Sequence, residues 1–227
     1  MNFNESEHPR DKDGKFTDKQ DLFKEAEETV EEEQSKNKEK VDASKSFATQ
    51  IDEVLSGKDT ETTHIKVMNT PKVLRDLNIP DLPVVITAKH IKSVVFDDGK
   101  EKMNYHGLGA ETVKKLPELL SDPVMVIKSR TKDDSIVVFT AELDKQKRPI
   151  IAAIKLNGYA FVGNDRIQAN VLTSVYGRNN FSSFLNNNIE ENRIMWCSDE
   201  KAKQTGIFDL CLLSRIKSLP KINLKKS

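Results

Sequence analysis

Three short segments combine imidazole, phenol, hydroxyl and cationic side chains that could carry acid–base chemistry at a phosphate. The first is Lys89-His90, one turn into a helix predicted over residues 88–95. Imidazole titrates near neutral pH without much tuning, so His90 could act as a general acid or base. Because it lies at helical spacing from Val94, it could equally be a half-buried packing residue. Lys89 beside it could pair with a phosphate.

The second segment is Asn104-Tyr105-His106-Gly107-Leu108-Gly109. A histidine beside an aromatic residue and followed by flexible glycine positions is a common way to project a ring from a loop into a cleft. The alternative is a loop histidine whose ring caps the following helix. Of the two histidines, His106 is the stronger catalytic candidate.

The third segment, residues 173–180, is the exit of a predicted strand that leads into a helix. Ser174 and Tyr176 share one face of this strand, while Val175 points to the other. A cation at the helix entrance would add positive charge for a phosphate, unless this is an ordinary strand end with a helix cap. The catalytic candidates are His106, His90, Tyr176 and Ser174, and the substrate-binding candidates are Arg178, Lys89, Thr173 and Asn179.

Several familiar kinds of site are missing from the sequence. It has no Gly-rich phosphate loop, nucleophile elbow, zinc-protease helix or kinase signature, and only nine glycines. Its two cysteines, Cys197 and Cys211, form no Cys-x-x-Cys pair and no zinc-type spacing. We therefore expect no metal site and no cofactor, and chemistry that is metal-independent if there is any.

Charge divides the chain into an acidic part and a basic part. The totals of 36 acidic and 36 basic residues balance, but residues 1–60 hold 17 acids against 10 bases. The basic remainder could be drawn to phosphate polyanions, and the acidic part could screen that surface or simply aid solubility. Few aromatics in residues 1–61 predict a disordered arm, with a helix indicated at 21–34. Residues 204–227 form a basic tail.

Apolar patterns divide the rest of the chain into short elements. Strands are predicted at 64–68, 124–128, 136–142, 150–156, 171–176 and 194–197. Helices are predicted after Pro71, over 88–95 with Thr87 as the N-cap, over 111–120 with a kink or a new start at Pro117, and over 180–188. This order is typical of an α+β domain, which we place at 62–203, with N-terminal helices packed on an antiparallel sheet of about four strands.

The N-terminus lacks a signal peptide, and no apolar run approaches the roughly 18 to 20 residues that span a bilayer. We therefore expect a cytoplasmic protein with no membrane partner.

Three segments resemble the C-terminal domain of phage MuF proteins. They are Asn104-Tyr105-His106-Gly107-Leu108, Leu116-Pro117-Glu118-Leu119-Leu120-Ser121-Asp122-Pro123-Val124, and Thr173-Ser174-Val175-Tyr176-Gly177-Arg178-Asn179-Asn180-Phe181. The resemblance covers approximately residues 62–203. That family belongs to the barnase/EndoU/colicin/RelE-like (BECR) group of predicted nucleases of phages, prophages and conjugative elements.

The resemblance implies RNA as the partner and RNA cleavage without a metal, in which the ribose 2′-hydroxyl is the nucleophile. It also implies helices packed on an antiparallel sheet of about four strands. Carried over by position, acid–base work falls to His106 and His90, phosphate binding to Arg178 and Lys89, and hydrogen bonding or positioning to Ser174 and Tyr176.

The leading hypothesis is thus a phage or mobile-element endoribonuclease, a toxin or effector that an immunity protein could hold in check. Such a protein would act in the host cytoplasm and could also be virion-associated. The alternative is a non-enzymatic virion or host-interaction protein that keeps the nuclease fold, with an arm that could bind a phage head or portal protein. A third hypothesis is catalysis on another nucleotide-like substrate. The portal-binding head domain that usually accompanies the MuF module is not in this sequence, which leaves a stand-alone effector, a fragment or an inactive relative open.

Overall fold

The computed structural model describes residues 46–57, 64–96, 106–162 and 165–205, all within one compact unit. Several predictions lie outside these residues. They concern the arm up to residue 45 with its helix at 21–34, Asn104 and Tyr105, and the tail beyond residue 205.

The described strands form one mixed sheet of seven strands in the order β1-β2-β6-β5-β4-β3-β7. The strands are β1 His64–Asn69, β2 Pro83–Thr87, β3 Met125–Lys128, β4 Ser135–Leu143, β5 Pro149–Val162, β6 Asp165–Gly177 and β7 Ile194–Cys197. β2 and β6 are parallel, and every other neighbouring pair is antiparallel. The α+β class is confirmed, but the prediction of an antiparallel sheet of about four strands is wrong in both strand number and direction.

Strand pairing explains this error. Apolar alternation predicts a strand but not the strands that pair with it. The sequence therefore did not place β1, β2 and β7 in the same sheet as the predicted antiparallel strands. β5 also runs well past its predicted end, and β6 begins well before its predicted start. The sequence pattern stops near Asn157 and Gly158, where a register shift interrupts the ladder before pairing resumes from Gly158 opposite Ala169.

Seven helices surround the sheet in the described residues: α1 Phe47–Leu55, α2 Lys72–Arg75, α3 Ala88–Val95, α4 Ala110–Lys114, α5 Leu116–Ser121, α6 Phe181–Glu190 and α7 Asp199–Gln204. α3 has the predicted bounds, and Thr87 is its N-cap. Pro117 lies in the first turn of α5. The helix predicted over 111–120 is therefore two helices that meet at Lys115.

α1 shows that the folded domain begins earlier than the predicted boundary at residue 62. Ser46 caps this helix, and Ile51 and Val54 are fully buried in the main core. Burial of two such side chains contributes about 1.5–3 kcal/mol each. The charged composition around α1 hid its apolar face, so residues 46–57 were wrongly included in the disordered arm.

Apolar clusters lie on the two faces of the sheet. The main core includes buried residues of α1, α3, α4 and α5, as well as inward-facing residues of the strands. A second cluster contains Leu185 and Ile189 of α6 and Ala202 of α7. The helices near the N-terminus thus pack on the sheet as predicted, and the last two pack elsewhere on it. Across the described ranges, no helix has the length and apolar character needed to cross a membrane.

Candidate active site

The candidate site lies where two parallel strands part. The pairing of β2 with β6 reaches Val85 and Val171. β2 then ends at Thr87 and leads into α3, whereas β6 continues to Gly177. A cavity of about 910 Å³ lies beside the part of β6 that extends past the end of β2. It is lined by Lys89, His90, Ser93, His106, Arg148, Thr173, Ser174, Tyr176, Gly177, Arg178 and Asn179.

All eight residues that the sequence singled out line this one cavity. They come from three distant parts of the chain, residues 89–90, residue 106 and residues 173–179. The fold therefore brings these three segments together at one cavity. Their individual roles remain predictions.

The start of α3 holds His90. The Thr87 hydroxyl accepts a hydrogen bond from the His90 backbone N–H at 3.2 Å and lies 3.3 Å from the ring Nδ1. The Ser93 hydroxyl donates to the His90 carbonyl at 2.8 Å. Because the N-cap of the helix also contacts the ring, the position of the imidazole is tied to the point where the helix begins.

The end of the same helix holds His106. Its backbone N–H donates to Ser93 O at 2.9 Å, and the next three N–H groups donate to carbonyls of residues 94–96. These are carbonyls that a helix end leaves without partners inside the helix. Gly107 has a φ of 61°, which a glycine adopts without strain. One short helix thus positions both histidines, although they lie 16 positions apart in the sequence.

The His106 ring lies against the ring of Tyr176, with a centroid distance of 5.2 Å and an interplanar angle of 31°. Burial lowers the pKa of His106, and the nearby charges of His90 and Arg148 lower it further. Burial also lowers the pKa of His90, partly offset by a hydrogen bond to the Thr173 backbone, and Lys89 adds to the lowering. Both imidazoles are therefore biased towards the neutral form.

A β-bulge shapes the wall of the cavity. Ser174 pairs with Ala153, but the next pair is Leu172 with Ile154, so Thr173 is the extra residue. Its hydroxyl donates to Ala153 O at 3.2 Å. Leu172 is fully buried in the main core, as is Val175 beyond the bulge. The predicted alternation holds at Val175, and the bulge places two adjacent hydroxyl residues at the cavity.

Comparison with known families points to phages. The family model of the phage MuF C-terminal domain matches residues 97–204. This is just under half of the chain, and it begins later than the resemblance at 62–203. No curated protein and no solved structure matches the chain.

The MuF match contains most, but not all, of the cavity. His106, Arg148 and residues 173–179 fall inside it, whereas Lys89 and His90 lie before it. The phage-domain segment therefore meets α3, a helix outside the match, to complete the cavity.

Sequence reasoning missed three lining residues, Ser93, Arg148 and Gly177. Ser93 is one turn after His90, a spacing that could have suggested it. Arg148 lies in a polar turn that resembles any surface turn. Only the pairing of Ile150 with Gly177 brings the start of β5, and Arg148 before it, to the end of β6.

The charge of the cavity is one-sided. Three permanent cations and two histidines line it, and no Asp or Glu is found among the described lining residues. The carboxylate of Asp144 is paired with the lining residue Arg148 and is only 3% exposed. Such a surface attracts anions. Within the described residues, no three His, Cys, Asp or Glu side chains are grouped so that they could hold a metal ion.

Proposed function

We propose that this chain is a phage or mobile-element endoribonuclease of the BECR type, a toxin or effector that cleaves RNA without a metal. One observation carries the proposal. A single cavity holds two imidazoles, a phenol, three hydroxyl residues and three cations, with no carboxylate among its described lining residues. These are the groups that phosphodiester cleavage by proton transfer needs. The phage family that matches residues 97–204 supports the biological setting.

In this mechanism the two imidazoles act as an acid–base pair. One neutral imidazole removes the proton of the ribose 2′-hydroxyl, whose oxygen attacks the phosphorus. The bond from phosphorus to the 5′-oxygen breaks, and the protonated imidazole of the other histidine gives its proton to that oxygen. The products are a 2′,3′-cyclic phosphate and a 5′-hydroxyl. His106 and His90 take these two roles because both line the cavity and the pKa of each responds to neighbouring positive charges.

The remaining lining residues bind and orient the phosphodiester. Arg178 and Lys89 supply positive charge, with Thr173 and Asn179 beside them. Ser174 and Tyr176 offer hydrogen bonds, and the Tyr176 ring also holds the His106 ring. Positive charge fixed at the phosphate stabilises the crowded intermediate in which negative charge builds up.

The test is incubation of the purified chain with total RNA in EDTA, followed by analysis of the product ends. We expect cleavage that leaves 2′,3′-cyclic phosphates, because the nucleophile is the 2′-hydroxyl. A single 2′-deoxy substitution at the scissile nucleotide of a defined substrate should abolish cleavage there. Intact RNA, or cleavage of the deoxy substrate, would rule out this chemistry.

Variants identify the residues that act. His106→Ala and His90→Ala should each lower the rate by roughly 100-fold or more, the scale of general acid–base catalysis. His64→Ala is the matched control, because His64 lies on β1 and does not line the cavity. Unchanged cleavage by His106→Ala would remove the proposed site. Salt-sensitive RNA binding without cleavage would favour the non-enzymatic alternative.

A further inference from the structure

Arg148 is the cation of the cavity that the chain holds most firmly. Its Nε donates to Asp144 Oδ2 at 2.6 Å. The other oxygen of that carboxylate accepts the backbone N–H groups of Gln146 at 2.9 Å and Arg148 at 2.8 Å. Asp144 is therefore fixed by its own turn, and it fixes the guanidinium in turn.

A second contact sets the plane of the guanidinium. Its Nη1 donates to Asn179 Oδ1 at 3.0 Å. Since a guanidinium has five N–H donors, three are left by these two bonds. The side chain is 29% exposed and lines the cavity. Its charge also reaches the reacting groups, because Arg148 contributes to the lowered pKa of His106.

Gly177 allows β6 to pass directly over this ion pair. A Cβ at residue 177 would overlap Asp144 Oδ2, lie 2.6 Å from Asp144 Cγ and lie 3.0 Å from Arg148 Nε. Contacts this short require one partner to move. The absence of a side chain at residue 177 is thus a condition for the observed position of Arg148.

Arg178 is arranged differently. Its guanidinium carbon lies 4.3 Å from the centroid of the Phe184 ring. Its Nε is buried and makes no hydrogen bond within the described structure. The planar group of Arg178 is thus packed on an aromatic ring, and no carboxylate of the described residues pairs with it.

We propose that Arg148, rather than Arg178, supplies the principal contact to the phosphate that reacts beside His106. Asp144 and Gly177 are positioning residues that aim its remaining donors into the cavity. The identity of this phosphate as a phosphodiester of RNA rests on the proposed function, but the anion site itself does not.

The experiment therefore measures anion binding without turnover. Inorganic phosphate is titrated into the full chain, and binding is followed by the NMR signal of the His106 imidazole, assigned with His106→Gln. Arg148→Gln should weaken binding at least about tenfold, which corresponds to roughly 1.4 kcal/mol. The phosphate affinity of Arg148→Lys should lie between those of this variant and the parent, because lysine keeps the charge but lacks the planar guanidinium. Arg178→Gln should weaken binding less than about threefold, a change of well under 1.4 kcal/mol.

Two variants separate positioning from charge. Arg130→Gln removes an equal charge from a residue paired with Glu191 away from the cavity, so it should leave phosphate binding unchanged. Asp144→Asn makes the chain more positive, yet it should weaken binding because Arg148 loses its anchor. The inference is wrong if the parent binds no phosphate, or if Arg178→Gln loses as much phosphate affinity as Arg148→Gln. It is also wrong if Asp144→Asn binds phosphate more tightly than the parent. Phosphate bound through Arg148 together with intact RNA would contradict only the proposed nuclease function.

Discussion

The imidazole of His106 rests on the phenol ring of Tyr176, although 70 positions separate the two residues, with ring centroids 5.2 Å apart. The ring contact orients His106 from the side of the sheet, while its backbone is bound to the end of α3. An acid or base held from two sides can stay at one distance from the bond it acts on.

The first prediction separates the ring of Tyr176 from its hydroxyl. Tyr176→Ala should lower kcat/KM for RNA by roughly 100-fold, because a misplaced catalytic group costs this much. Tyr176→Phe keeps the ring contact and should lose less than about tenfold, well under a misplacement effect. Steady-state kinetics would measure both, with the exposed Tyr159→Ala as the control. Equal losses in the Phe and Ala variants would show that the hydroxyl matters and the stacking does not.

The second prediction concerns the pKa of His106. NMR titration should give a value below the ordinary 6.5, because the ring is half-buried and cations lie nearby. His90→Gln and Arg148→Gln should each raise it, since each removes a positive charge that disfavours protonation. Arg130→Gln should leave it unchanged. A pKa that stays constant in the first two variants would mean that burial alone sets it.

The third prediction is a pH dependence of stability. Both folded-state pKa values are lowered, so below pH 6.5 the unfolded chain binds more protons than the folded chain. The free energy of unfolding should therefore fall as the pH drops through 6.5 and level off, for these groups, below the folded pKa values. The slope is at most about 1.4 kcal/mol per pH unit for each histidine. The free energy of unfolding, measured with urea at several pH values, should depend less steeply on pH in a His90→Gln/His106→Gln variant. An unchanged dependence on pH would contradict the linkage.

The fourth prediction compares two helix caps. Thr87→Ala removes the cap of α3, and Ser198→Ala removes the cap of α7, where the hydroxyl accepts from Lys201 N. Each should cost about 1 kcal/mol of stability in chemical denaturation. Only Thr87→Ala should also lower cleavage, because Thr87, unlike Ser198, contacts the His90 ring. Equal activity in the two variants would argue against a role for this contact.

The fifth prediction tests the space at Gly177. Gly177→Ala should destabilise the fold by about 1–3 kcal/mol, the usual range for an overpacked site. Asp144→Ala removes the atoms that the new methyl group would meet, so the double variant should be more stable than the two single changes add up to. A thermodynamic cycle from denaturant unfolding measures this coupling. Strict additivity would mean that the backbone moves aside without strain.

Much of the site could be predicted because its parts have local signals. Thr87 at the end of an apolar run predicted, as an N-cap, the helix that carries His90, and α3 has the predicted bounds. Strand periodicity put Ser174 and Tyr176 on one face and Val175 in the core. These features depend on neighbours a few residues away, which a sequence displays directly.

The features that could not be predicted depend on pairing between distant strands. Nothing near Arg148 marks it, because the register of β5 with β6 brings it to the cavity. The parallel pairing of β2 with β6 and the membership of β1 and β7 in one sheet are equally non-local. α1 was missed for another reason, because the charged composition of the segments around it determined the prediction for the whole of residues 1–61.

The point where β2 and β6 part also divides the buried core residues of these strands from the residues that line the cavity. The cavity opens at the carboxyl ends of these parallel strands, where ligand sites form in open sheets. Side chains further back on the same strands, such as Val84 and Leu172, are fully enclosed in the main core. The core and the cavity lining thus occupy different positions, so under the proposed function the lining could change to suit another anionic ligand while the buried core stays the same.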